Sequence, residues 1–164
     1  MPSAWKADRI SSATTTIFAE MSALALTTRS VNLGQGFPDT DGPAFMLEEA
    51  RAAIASGMNQ YPPGRGILPL RQAIAAHSSR IYDLSYDPET EILVTTGATE
   101  AIAASILAFV NPGDEVIALE PFYDSYAASI ELAGGQRVGV GLFGPDFQLD
   151  HTELSAAFTP KTKA

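Results

Sequence analysis

The chain has 164 residues, of which 46% are apolar and 18% are charged, a composition typical of a globular protein of one-domain length. Its 19 acidic residues outnumber its 10 basic residues, and the net charge of −9 argues against binding to nucleic acid or to an anionic membrane. The sequence has no cysteine, which excludes disulfides and thiolate metal sites, and its two distant histidines make a histidine-based metal site improbable. Without a bilayer-length apolar run or a signal-peptide pattern, we expect a cytoplasmic protein.

Apolar residues at helical spacing, with proline and glycine at the boundaries, predict three helices in the first part of the chain. They span residues 13–28, 43–57 and 67–82. Pro43 suits the first turn of a helix and Gly57 suits its end. A loop rich in glycine and proline covers 34–43. Two prolines and two glycines exclude a helix between Tyr61 and Gly66.

From residue 91 onward the predicted strands and helices alternate. The strands span 91–96, 115–120 and 137–141, and the helices span 98–110, 124–133 and 149–158. Alternation of this kind indicates βαβ crossovers and a parallel sheet covered on both faces, with ligands beyond the carboxyl ends of the strands. Helix 98–110 is apolar nearly all round, which predicts a buried position. Asp150 is expected to cap the last helix.

The turn from strand 91–96 into the next helix has the character of an anion site. Gly97 allows a tight turn, and the N–H groups of Ala98 and Thr99 would then face an incoming anion at the positive end of the helix dipole. From the local sequence alone, a plain strand-to-helix turn without a ligand explains the same residues. Glu100 is interpreted as structural, because its charge would repel a phosphate.

Four motifs occur in a fixed order: Asn32-Leu-Gly-Gln-Gly-Phe-Pro-Asp39, Asn59-Gln-Tyr-Pro-Pro-Gly64, Gly97-Ala-Thr-Glu-Ala101 and Glu120-Pro-Phe-Tyr-Asp-Ser-Tyr126. Each is weak alone. Together, at these separations, they resemble the N-terminal half of a pyridoxal 5'-phosphate (PLP) aminotransferase of the class I/II, fold-type I family. The resemblance runs from about Thr14 to the last residue. It is strongest to the branch that holds the actinobacterial N-succinyldiaminopimelate and the kynurenine-type aminotransferases.

The resemblance implies an α/β fold of the aspartate-aminotransferase type. Residues 41–164 would be the N-terminal part of the PLP-binding large domain, with a mostly parallel sheet and helices on both faces. Residues 1–40 would be an N-terminal arm, a helix and a substrate loop.

The same resemblance implies roles for individual residues. Gly97, Ala98 and Thr99 would bind the cofactor phosphate, and Tyr123 would stack on the pyridine ring. The alternative for Tyr123 is a core aromatic, which is the interpretation given to its neighbours Phe122 and Tyr126.

Two further roles concern the loops before the large domain. The Gly34 N–H would contact the substrate carboxylate, although a bend without a ligand is the alternative. Tyr61 would reach the phosphate bound by the partner subunit of a homodimer with shared active sites. Arg65 and Arg71 are interpreted as surface or interface charges without a catalytic role.

The activity implied is transfer of an amino group between an amino acid and a 2-oxo acid, resembling most the succinyldiaminopimelate-type enzymes of lysine biosynthesis. The only lysines are Lys6, Lys161 and Lys163, so we expect no catalytic residue in this chain, since the lysine that binds the cofactor covalently is absent. The substrate-lining tryptophan of some kynurenine-type relatives is also absent, which argues against a preference for such substrates.

Three other interpretations are open. The first is a PLP lyase acting on cysteine conjugates, which the residues do not separate from a transaminase. The second is a non-catalytic truncated fragment with exposed apolar faces. The third is a nucleotide-binding domain, because Gly34-Gln-Gly36 begins like a dinucleotide fingerprint. The sixth position of that motif is Asp39 and no helix follows at once, which argues against nucleotide binding.

Overall fold

The computed structural model describes residues 7, 9, 15–36 and 38–164. Its elements in chain order are α1 (Ile17–Thr28), α2 (Ala44–Ala55), α3 (Leu68–Tyr82), α4 (Gly97–Phe109), β1 (Glu115–Glu120), α5 (Ser125–Leu132), β2 (Gln136–Phe143), β3 (Gln148–Leu149) and α6 (His151–Ala157). The chain divides into two compact units. Residues 18–95 form one, and residues 96–164, with the described residues before Phe18, form the other.

The helices of the unit 18–95 begin and end close to the predicted residues. Pro43 is the N-cap of α2, and Gly57, with φ of +86°, follows its end. The predicted first helix is shorter than expected, because residues 15 and 16 are not helical, and residues 13 and 14 lie outside the described residues. Phe37, within the predicted substrate loop, also lies outside them.

The strand predicted over 91–96 is wrong. These residues carry no strand in the structure, although Ile92 is buried. A β-strand requires a neighbouring strand to complete its ladder. The N–H of Val94 donates instead to the carbonyl of Arg65 in a loop, at 3.2 Å, and residues 91–96 pair with no strand of the described residues.

The unit 96–164 contains the predicted βαβ crossover. β1 and β2 are parallel, in register from Glu115 opposite Gln136 to Glu120 opposite Gly141, and α5 connects them. A short antiparallel pairing of β2 with β3 was not predicted and makes the sheet mixed. At the other edge of β1, the Lys163 N–H donates to the Glu115 carbonyl at 2.8 Å.

Two predictions about the helices of this unit have opposite outcomes. Asp150 caps α6, since its carboxylate accepts hydrogen bonds from the N–H groups of Thr152 and Glu153. The prediction that α4 is buried is wrong, because none of its residues is buried and Phe109 is 66% exposed. α4 packs through Ile106 against the cluster formed by Val110, Val116 and Ile130.

The described residues contain no helix that is long and apolar enough to cross a membrane. Within the same residues, no group of three or more histidine, aspartate or glutamate side chains has the arrangement of a metal site.

Candidate functional site

The first turn of α4 contains three of the predicted site residues, Gly97, Ala98 and Thr99, and all three are exposed. Gly97 has a φ of +83°, a left-handed conformation that glycine adopts without steric cost. The N-cap residue, Thr96, gives the turn no side-chain hydrogen bond. Because the first N–H groups of a helix lack intrahelical acceptors and lie at the positive end of its dipole, this turn suits an anion.

Glu100 lies in the same turn and has the structural role predicted for it. Its carboxylate accepts a hydrogen bond from the Thr96 N–H, the residue just before the helix. This hydrogen bond holds the Glu100 carboxylate at the start of the helix, where the positive end of the dipole stabilises it.

Tyr123 lies just beyond the carboxyl end of β1 in a cluster of aromatic side chains. Its ring is 50% exposed and meets Tyr126 edge to face, with centroids 6.2 Å apart. Phe122 stacks on the same tyrosine at 6.3 Å, and the Arg137 guanidinium lies 4.9 Å from the Phe122 centroid. The interpretation of Tyr126 as a core residue is wrong, because it is 38% exposed; Phe122 is half-buried.

A pocket of about 560 Å³ opens beside this cluster, between α4, β1 and the start of α5. Its lining is mostly apolar and includes Ile102, Leu119 and Tyr123. The first turn of α4 does not line it. The unit 96–164 thus contains amide donors that suit an anion and, apart from them, an aromatic face at an apolar pocket.

Gly34 belongs to the other unit, and its N–H is already engaged. It donates to the Asn32 side-chain oxygen at 3.0 Å, and the Asn32 amide nitrogen donates to the Ser22 hydroxyl at 3.1 Å. A Cβ added at Gly34 would lie 3.2 Å from the Cβ of Met21, so the glycine permits close approach to α1. Sequence reasoning missed Asn32, although a side chain that bonds the backbone two residues ahead is a known loop signal.

Tyr61 also belongs to the unit 18–95, and it is fully exposed.

The interpretation of Arg71 as a surface or interface charge is wrong, because it is 7% exposed and makes hydrogen bonds to two backbone carbonyls. No local pattern signals this burial, since the carbonyls lie on either side of Arg71 in the sequence and one is 17 residues away.

Comparison with known proteins identifies similar sequences over most of the chain. A model of the family described as aminotransferase class I and II matches residues 28–164. A probable N-succinyldiaminopimelate aminotransferase of Mycobacterium tuberculosis is 59% identical over 152 residues, which cover 92% of this chain and 38% of that protein. The methionine aminotransferase of Escherichia coli is 46% identical over 149 residues, covering 91% and 39%.

The solved structure of N-succinyldiaminopimelate aminotransferase from Mycobacterium tuberculosis matches with a TM-score of 0.89 at 56% identity, over 96% of this chain and 41% of that one. The structural neighbours are fold-type I enzymes of the aspartate-aminotransferase type, which confirms the predicted fold class. The chain spans about two fifths of the length of these relatives.

Proposed function

The chain belongs to the class I and II aminotransferase family, and on that premise we propose that the full-length protein transfers amino groups between an amino acid and a 2-oxo acid. Enzymes of this family depend on PLP, which when bound supplies the electron sink for the exchange. The single observation that carries the proposal is the match of 59% identity to a probable N-succinyldiaminopimelate aminotransferase.

We propose that this chain supplies the phosphate-binding and ring-stacking parts of the cofactor site. The N–H groups of Gly97, Ala98 and Thr99 would donate to the phosphate, and Tyr123 would place its ring against the pyridine. The positive φ of Gly97 and the lack of a side-chain cap from Thr96 support the first role. The half-exposed ring of Tyr123 at an apolar pocket supports the second.

No lysine of this chain is proposed to bind the cofactor covalently. Lys161 and Lys163 pair through their backbone with Glu115, at the amino end of β1. Tyr123 follows the carboxyl end of the same strand, which at about 3.3 Å per residue lies roughly 16 Å away. Lys6 lies outside the described residues. We therefore expect the 164-residue chain alone to be inactive.

Tyr61 is proposed to donate to the phosphate bound by the partner subunit of a homodimer. Its full exposure supports such a role, because a tyrosine that packs within its own chain would be covered. Gly34 is proposed to donate to the substrate carboxylate. A carboxylate oxygen would then replace the side-chain oxygen of Asn32 as the acceptor of the Gly34 N–H.

For the substrate, we propose an N-succinyldiaminopimelate-type amino donor, in lysine biosynthesis, because the chain is more similar to the Mycobacterium tuberculosis protein than to the methionine aminotransferase. The cytoplasmic location remains a prediction from the sequence.

The test measures products of the full-length protein with PLP, N-succinyldiaminopimelate and 2-oxoglutarate. We expect glutamate to form in step with loss of the donor, without release of ammonia. Release of ammonia from a cysteine conjugate, with no glutamate formed from any donor, would show the lyase instead. The isolated 164-residue chain serves as the control, and transamination by it at a normal rate would refute the assignment of residues.

A further inference from the structure

Arg71, in the first turn of α3, is a buried charge whose hydrogen bonds reach both flanking segments of the chain. Its Nε donates to the Gly66 carbonyl at 3.2 Å. Its Nη1 donates to the Pro88 carbonyl and lies 3.4 Å from a carboxylate oxygen of Glu89. A charged side chain in a buried position is retained at acceptable cost only when partners of this kind surround it.

Two hydrogen bonds and one close contact also hold the loop of residues 61–66 against the segment of residues 87–94. The Arg65 guanidinium donates to the Thr90 carbonyl at 2.8 Å, and the Val94 N–H donates to the Arg65 carbonyl at 3.2 Å. Gly66 lies so close to Val94 that an added Cβ would be 2.6 Å from one of the valine methyl carbons. The end of the loop at Gly66 is therefore fixed.

The other end of the loop carries Tyr61, and the residues between are stiff. The Gly66 N–H donates to the Pro63 carbonyl at 2.8 Å, which closes a turn. Pro62 and Pro63 each have a φ locked by their rings. The turn and the two fixed φ angles leave few free torsions between Gly66 and Tyr61, so we expect a displacement of Gly66 to shift Tyr61.

We propose that Arg71, assisted by Arg65, is the positioning residue for Tyr61. The inference rests on the proposed role of Tyr61 at the cofactor phosphate. The guanidinium is suited to this position because its planar fork serves the carbonyls of Gly66 and Pro88 together. A lysine would keep the charge at the same place but offers a single ammonium without that fixed geometry.

The test is a double-mutant cycle in the full-length protein, with the dissociation constant of PLP for the apoprotein as the readout. We expect Tyr61→Phe to weaken PLP binding roughly 10- to 150-fold, the effect of one lost hydrogen bond to a charged group. Arg71→Lys should weaken it severalfold, and the double variant should bind no more weakly than Tyr61→Phe alone. Arg80→Lys, an exposed arginine on the same helix, is the matched control and should change nothing.

The outcomes of this cycle distinguish the positioning role of Arg71 from the role of Tyr61 at the phosphate. If the effects of Tyr61→Phe and Arg71→Lys multiply, Arg71 acts only on general stability, and the inference is overturned while the role of Tyr61 stands. If Tyr61→Phe leaves PLP binding unchanged, both the role of Tyr61 and the inference fall. If Arg71→Lys does not fold, Arg65→Ala, which removes one exposed hydrogen bond, replaces it in the same cycle. If the effects of Arg65→Ala and Tyr61→Phe on PLP binding multiply, the inference is overturned as well.

Discussion

The sharpest test of the phosphate site is Gly97→Ala, compared with Gly113→Ala in the same unit. Gly97 has a φ of +83° and Gly113 a φ of +89°. A Cβ added at either position meets nothing within 4 Å. The two substitutions therefore introduce the same backbone strain and no steric clash, but only Gly97 lies at the proposed site.

The expected cost in stability is the same for both variants. A left-handed conformation at a residue with a Cβ costs about 1–2 kcal/mol, so each substitution should lower the free energy of unfolding by about that amount. Relaxation of the backbone at Gly97, which relieves part of this strain, should turn the first amides of α4 away from the phosphate. Loss of one hydrogen bond to a charged group, about 1.5–3 kcal/mol, corresponds to roughly 10- to 150-fold weaker binding.

The assay is chemical denaturation of both apoproteins, followed by titration of each with PLP at full length. Equal losses of stability with weaker PLP binding only in Gly97→Ala would support the site. If both variants bind PLP as tightly as the unchanged protein, the start of α4 does not hold the phosphate. If both lose affinity equally, the loss comes from general destabilisation, and the reasoning is refuted as well.

Three further predictions concern the ring-stacking residue, the core and the acid end of the pH range. Tyr123→Leu should weaken PLP binding about two- to tenfold, the value of one aromatic stack, and Tyr123→Phe should restore it. Ile130→Ala should lower the free energy of unfolding by about 2–5 kcal/mol in denaturant titrations, because Ile130 is 2% exposed, whereas Ile54→Ala, at a 64% exposed position, should cost far less. Hydrogen bonds from the N–H groups that follow Asp150 lower its pKa below 3.8. Its carboxylate thus stabilises the fold fully above pH 3.8 and loses that contribution as pH falls through the lowered pKa. Asp150→Asn, which keeps an acceptor oxygen at the cap, should flatten this part of the stability profile measured from pH 5 downward.

Local chemistry predicted the parts of the fold that depend on neighbours in sequence. Pro43 and Gly57 delimit α2 because their backbone preferences hold in any context, and Asp150 caps α6 because its acceptors reach amides two and three residues ahead. The strand expected over 91–96 failed because a ladder needs a partner from elsewhere, which a window of six residues does not reveal.

The prediction that α4 is buried failed for a related reason. The composition of a helix shows how much apolar surface it can bury, but not which faces meet other elements. In the structure α4 packs along the face that includes Ile106, while Leu107 and Phe109 remain more than half exposed. Arg71 shows the converse. Its charge predicted a position at the surface, but hydrogen bonds to the carbonyls of Gly66 and Pro88 hold it in a buried position.

The acidic residue at the proposed phosphate site, Glu100, is held by the backbone. Glu100 would oppose a phosphate if its carboxylate were free to lie among the donors of the first turn. It accepts the N–H of Thr96 instead, which uses an amide before the helix and leaves its charge near the positive end of the dipole, where a carboxylate is stabilised. The net charge of −9 means that this chain by itself gives no long-range attraction for a phosphate. From this chain we therefore expect short-range donors to supply the affinity, and the amides that follow Gly97 are the proposed ones.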